Sequence, residues 1–153
     1  MLESISRTAL FAGFAEERMK DIAAFSRKVT YEAGDHAIVE GSAEQHPDLL
    51  LLLEGEVDVE MRFSYLPMDG AINLKTIGGE VFGEIAWLLG DKRSASVKCK
   101  RHCQILIIDG SRLTAFCKAH PAEGLAIMSR IAHLLARRVV DLSKQLKNRE
   151  LLL

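Results

Sequence analysis

A chain of 153 residues has room for one domain with a real core and too little for two of ordinary size. Hydrophobic residues at 48% against 27% charged exclude a disordered chain, and a net charge of −1 offers no global pull toward nucleic acid or an acidic membrane. Apolar runs such as Leu49–Leu53 fall far short of a membrane span.

The first residues, Met1-Leu2-Glu3, are acidic and lack the basic-then-apolar character of a leader, so no secretion signal is expected. Residues 2–25 read as helical: Leu10, Phe11, Phe14, Met19, Ile22, Ala23 and Phe25 fall on one face. Gly13 interrupts the pattern and predicts two short helices with a bend. Ala15-Glu16-Glu17 puts acids in a first helical turn, where the helix dipole favours them.

From residue 27 to residue 108 the signal changes to short strands punctuated by glycine. Candidate strands are Arg27–Tyr31, His36–Val39, Asp48–Leu53, Glu56–Phe63, Ala71–Ile77, Ser96–Lys100 and His102–Ile108. Gly34, Gly41, Gly55, Gly70 and Gly79 fall between them. Val57, Val59 and Met61 alternate with Asp58, Glu60 and Arg62, the period-two sign of a strand with one wet face. Strands this short and this regularly spaced predict a small barrel or jelly roll. The segment Met61–Ile72, with Pro67 and Asp69-Gly70, reads as a hairpin tip or extended loop.

Residues 109–150 return to helix. Asp109 or Ser111 can cap a helix running through Lys118, and Pro121 suits the first position of the next, expected over residues 122–149. Leu125, Ala132, Val139 and Leu146 recur every seven residues, with Met128, Leu135 and Leu142 three places later. That a/d heptad is the pattern of a helix paired with a copy of itself; packing on the chain's own barrel is the alternative. A homodimer through this helix is therefore expected.

One stretch carries chemistry. Val81-Phe82-Gly83-Glu84-Ile85-Ala86-Trp87 follows the paired glycines Gly78-Gly79, and Arg93-Ser94-Ala95-Ser96 closes it. A tight Gly-Glu turn opens a short apolar segment whose free backbone N–H groups can face an anion. Nine residues after Glu84, Arg93 brings a planar charged fork suited to two phosphate oxygens. Glu84 alone would read as a first-turn acid, and Arg93 alone as a surface arginine paired with Asp91 or Glu84. An exposed pair of that kind is worth little, so it does not account for an arginine framed by glycines and hydroxyls.

The spelling Phe82-Gly83-Glu84-Ile85-Ala86 followed by Arg93-Ser94-Ala95-Ser96 resembles the phosphate-binding cassette of cyclic nucleotide-binding domains. This module is shared by catabolite activator proteins, regulatory subunits of cyclic-nucleotide-dependent kinases and cyclic-nucleotide-gated channels. The turns Glu32-Ala33-Gly34-Asp35, Glu40-Gly41 and Leu53-Glu54-Gly55-Glu56-Val57 extend the resemblance over nearly the whole chain; Trp87 departs from it, the family usually having Leu there. The resemblance implies a double-stranded β-helix, or jelly roll, with N-terminal helices and a long C-terminal dimerisation helix. It also implies a non-catalytic sensor whose ligand is cAMP or cGMP and which needs no cofactor.

In that reading Glu84 accepts from the ribose 2′-hydroxyl, Gly83 lets the backbone come close, and Ile85 and Ala86 offer backbone N–H groups. Arg93 neutralises the cyclic phosphate, Ser94 donates to it, and Ser96 is a further hydroxyl candidate. Trp87 is expected in the core or at the lip of the pocket, with stacking on the base as the alternative. The string Ala136-Arg137-Arg138 resembles one on the long helix of the activator proteins and would bring Leu142-Ser143 to the base. Leu142 replaces a hydroxyl residue there, which leaves Ser143 as the candidate. Arg138 and Lys144 read first as solvated flanking charges, with capping of the base as the alternative.

Nothing in the sequence suggests other chemistry. The five histidines show no metal-ligand spacing, and Cys99, Cys103 and Cys117 form no Cys-x-x-Cys pair, so no metal is expected. Free thiols fit a reducing cytoplasm. No nucleophile motif suggests an enzyme. Lys98, Lys100, Arg101 and His102 read as a wet face and not a nucleic-acid patch. The chain reaches Leu153 without a helix-turn-helix, so no DNA contact is expected of it. Two alternatives to a stand-alone sensor remain: the ligand-binding half of a catabolite activator-type transcription regulator, or a dimeric interaction module with a degenerate pocket.

Overall fold

The computed structural model describes residues 1–62, 71–77 and 81–151. Residues 63–70, with Pro67, and Gly78-Gly79 lie outside the described residues. The N-terminal segment forms α1 (Leu2–Ser6), a 3-10 turn (Ala9–Phe11) and α2 (Glu16–Ala24), with the bend at Gly13 (φ +82°). Among the described residues eight strands follow: β1 (Ser26–Tyr31), β2 (His36–Ile38), β3 (Leu49–Glu54), β4 (Glu56–Arg62), β5 (Ala71–Ile77), β6 (Val81–Phe82), β7 (Ser96–Cys99) and β8 (Cys103–Ile108). Helix α3 (Glu84–Leu89) lies between β6 and β7, and α4 (Gly110–Ala119) and α5 (Pro121–Leu151) close the chain. β6 was not expected; two residues are too short for any periodicity to show. The expected loop Met61–Ile72 overlapped the expected strands Glu56–Phe63 and Ala71–Ile77 at both ends, and there the strands prevail: Met61 pairs with Ile72 and Arg62 with Ala71 across antiparallel β4 and β5.

The strands make two antiparallel four-stranded sheets, ordered β1-β8-β3-β6 and β2-β7-β4-β5. Side-chain alternation decides which layer each residue joins. In β3, Leu50 and Leu52 pack between the sheets, while Leu49 and Leu51 turn to the helical layer; in β8, Ile105 and Ile107 face inward, and Leu106 and Ile108 face the helices. These strands have two buried faces, which is why their sequences are unbroken aliphatic runs. β4 lies in the other sheet: Val57 and Val59 are buried and Asp58 and Glu60 are only half-buried, hence its alternation.

The helical layer packs Ile5, Leu10, Phe11 and Ile22 with Leu113 and Phe116 of α4 and Ile127 and Ile131 of α5. Asp109 caps α4, its side chain accepting from Arg112 N at 2.9 Å. The α4–α5 junction falls at His120, and Pro121 takes the first position of α5. The core face of α5 runs through Gly124, Ile127 and Ile131, whereas the heptad positions divide: Leu135 and Leu142 are half-buried, but Leu125 is 70% exposed, and Met128, Val139 and Leu146 are exposed as well. Arg130, one turn from that core face, donates to the carbonyls of Leu10 and Ala12 at 2.8 and 2.9 Å and sits over the Phe14 ring. These contacts tie the N-terminal segment to α5.

Candidate functional site

β6 ends at Phe82, and Gly83 turns the chain into α3 at φ +77°, a conformation only glycine adopts without strain. The turn leaves the first-turn N–H groups of α3 without intrahelical acceptors. Trp87 N closes the turn on Gly83 O at 3.2 Å, and Gly90, also left-handed, ends the helix. The loop from Asp91 leads to Arg93, whose backbone is paired across to the segment between β2 and β3: Gly41 N donates to Arg93 O at 2.8 Å, and Arg93 N to Ser42 O at 2.9 Å.

This arrangement surrounds a cavity of about 110 Å³. Ile38, Val59, Phe82 and Val97 of the roll form its apolar floor. Gly83, Glu84, Ile85, Ala86, Arg93 and Ser94 form one wall, and Leu135, Arg138, Val139 and Leu142 of α5 form the other. Six of the eight expected site residues thus meet at one place. Ser96 and Ser143 do not: the Ser96 hydroxyl accepts from Glu40 N at 2.9 Å, and Ser143 donates to Val139 O one turn back on an exposed face of α5. Trp87 also turns away from the cavity. It packs against the helical core, and its indole N–H donates to Gly110 O at 2.9 Å.

Glu84 and Arg93 are both buried, and each has a charged partner. Arg138 is not a solvated flanking charge. It reaches in from α5, donates to the Glu84 carboxylate and to Val81 O, the latter at 2.6 Å, and lies over the Phe82 ring. Arg93 pairs with neither Asp91 nor Glu84. Its Nη1 donates to Asp48 O at 3.0 Å and Gly83 O at 3.2 Å, while Nε and Nη2 meet the Glu44 carboxylate at 3.2 and 2.9 Å. Glu44 was invisible in the sequence: a lone acid in a loop, 49 residues before its partner, has no spacing to betray it.

A buried guanidinium, a buried carboxylate and a left-handed Gly83 beside unused backbone donors make a wall that can take a phosphate and a neighbouring hydroxyl. The opposite wall and the floor are largely aliphatic and suit a flat ring. Among the described residues no group of His, Cys, Asp and Glu could hold a metal ion, and no helix is long and apolar enough to cross a membrane.

The chain is similar in sequence and fold to several known proteins. A candidate potassium channel protein of Rhodopseudomonas palustris is 27% identical over 118 residues, which are 77% of this chain and 27% of that protein. The chain thus spans about a quarter of that relative's length. A cyclic nucleotide-binding domain from Methylobacillus flagellatus superposes with a TM-score of 0.73 at 24% identity, covering 92% of this chain and 76% of the other. The catabolite activator protein of Thermus thermophilus does so with a TM-score of 0.69 at 24% identity, covering 90% and 61%. The regulatory domain of Toxoplasma gondii PKA, solved with cAMP, gives 0.69 at 18% identity, covering 86% and 48%. These solved structures share the fold, the jelly roll with flanking helices. The family described as "Cyclic nucleotide-binding domain" matches residues 28–120, well over half the sequence and all of the site wall from Gly83 to Ser94. The chain belongs to the cyclic nucleotide-binding domain family.

Proposed function

We propose that this chain is a non-catalytic sensor that binds cAMP or cGMP and relays occupancy through α5. The observation that carries the reading is the meeting of buried Glu84 and Arg93 with Gly83 on one wall of one cavity. Arg93 takes the cyclic phosphate with the N–H groups of Ile85 and Ala86 and the Ser94 hydroxyl, and Glu84 takes the ribose hydroxyl. The base lies against the apolar side chains of the floor and of α5, none of which reads a base edge by hydrogen bonds.

The dimensions support the relay. A cavity of about 110 Å³ is well below the roughly 300–1,000 Å³ of small-molecule sites. Four residues of its wall belong to α5, so a nucleotide enters only if α5 shifts. Glu84 exchanges Arg138 for ribose in the same event, and the junction at His120 absorbs the movement. The exposed heptad stripe supports self-pairing through α5, which would carry the shift to a second subunit.

A thermal-shift screen of cAMP, cGMP and cyclic dinucleotides tests the ligand class. A saturable rise in Tm with one cyclic mononucleotide supports the reading, and no rise with any of them counts against it. The second reading, the regulatory part of a larger channel or activator-type protein, is favoured by the chain's 27% and 61% shares of those relatives. This chain should form no specific complex with DNA in a gel shift, its output then lying in the remainder of such a protein.

A further inference from the structure

Arg93 presents two edges, and they are held in different ways. Among the described residues Nη1 donates to main-chain oxygens, those of Asp48 and Gly83. These two bonds fix the guanidinium independently of its other edge. The edge formed by Nε and Nη2 meets the two oxygens of Glu44, one to each nitrogen, at 3.2 and 2.9 Å. Two oxygens on two guanidinium nitrogens is also the arrangement in which arginine takes phosphate.

The partners differ sharply in exposure: the Arg93 side chain is 4% accessible and that of Glu44 43%. Glu44 stands on the irregular segment between β2 and β3, and that segment is tied to the Arg93 main chain through Gly41 and Ser42. The carboxylate is therefore an intramolecular anion, kept beside the guanidinium at high effective concentration yet free to turn into water.

We propose that Glu44 is a built-in competitor for the phosphate of the ligand: its carboxylate takes the Arg93 fork, and an incoming phosphate must displace it. The proposal rests on the ligand reading above and adds to it a residue that sets affinity. The opposite role would be a counter-charge that a buried arginine needs. The two roles differ in sign. Removing a competitor strengthens anion binding at Arg93, whereas removing a necessary counter-charge leaves binding unchanged or weaker.

Glu44→Gln keeps the shape and removes the charge; Glu44→Ala removes both. Calorimetry with cAMP and cGMP on the whole chain, at fixed ionic strength, should show both variants binding about tenfold more tightly than the parent. In parallel, inorganic phosphate titrated against the Arg93 Nε–H signal by NMR should move it at a lower midpoint in Glu44→Gln than in the parent. Equal or weaker nucleotide binding in both variants, with an unchanged phosphate midpoint, overturns the proposal. Should no cyclic nucleotide bind parent or variants, the ligand reading falls by itself and the phosphate titration still decides. A lower midpoint in Glu44→Gln then supports the competitor, and an equal midpoint or no response overturns it.

Discussion

A β carbon at Gly83 would lie 2.6 Å from Nη1 of Arg93 and 3.0 Å from the carbonyl of Asp48, on a backbone that side chains rarely adopt. Gly83→Ala therefore strains the turn and pushes the guanidinium off its two carbonyl anchors. The strain alone costs about 1–3 kcal/mol. The account predicts a lowered Tm together with cyclic nucleotide affinity at least tenfold weaker by calorimetry. A second residue-scale prediction concerns Cys99, a thiol buried in the inter-sheet core. Burial first, then a hydrogen bond with Cys103, pushes its pKa from 9.0 up to about 12. The unfolded thiol ionises near 9.0 while the folded one keeps its proton, so its contribution to stability is complete below pH 9.0 and falls as pH rises toward 12. Urea midpoints should decline over that window, and Cys99→Ala should flatten the decline. Glu84 and Arg93 were legible in the sequence because they sit in one short loop with glycine beside them. Their partners were not, because Glu44 and Arg138 come from a distant loop and a distant helix, and only the closed roll brings them near.

At the scale of elements, α5 has three jobs. It fills the helical core through Gly124, Ile127 and Ile131, it closes the cavity through Arg138 and the heptad residues Leu135, Val139 and Leu142, and it turns the heptad residues Leu125, Met128 and Leu146 outward. Leu125 and Leu146, 70% and 51% exposed, touch neither the core nor the cavity wall. Leu125→Glu with Leu146→Glu should convert a dimer to a monomer in analytical ultracentrifugation with little loss of Tm. An unchanged sedimentation coefficient, still dimeric, would place the interface elsewhere. The heptad was readable as a stripe, but the sequence could not say that Leu135, Val139 and Leu142 would line a cavity within the same chain. Strands were readable where glycines punctuate them; β3 and β8 showed as aliphatic runs with no alternation because both of their faces are covered. Trp87 departs from the family pattern and was readable as core, yet its tie to Gly110 was not. A β carbon at Gly110 would lie 2.0 Å from Pro47 O and 2.9 Å from the Trp87 ring, so α4 begins in close contact with both α3 and the β2–β3 segment.

Across the whole molecule, the proposed function makes the roll a fixed frame and α5 the part whose position depends on what fills the cavity. The cavity wall from α5 holds Arg138 on Glu84, and the β2–β3 segment holds Glu44 on Arg93. Glu84 and Arg93 are thus already satisfied by the chain itself, which keeps two buried charges from standing alone. Ligand binding on this account is an exchange of internal partners for sugar and phosphate, and the released helix carries the signal. The exchange hangs on Arg93. Calorimetric titration of cAMP and cGMP into the parent chain and into Arg93→Gln tests it most directly. The account predicts saturable binding of at least one of the two by the parent and a loss of a hundredfold or more, about 2.7 kcal/mol, in the variant. Equal affinity in parent and variant, or no binding of either nucleotide by the parent, would contradict it.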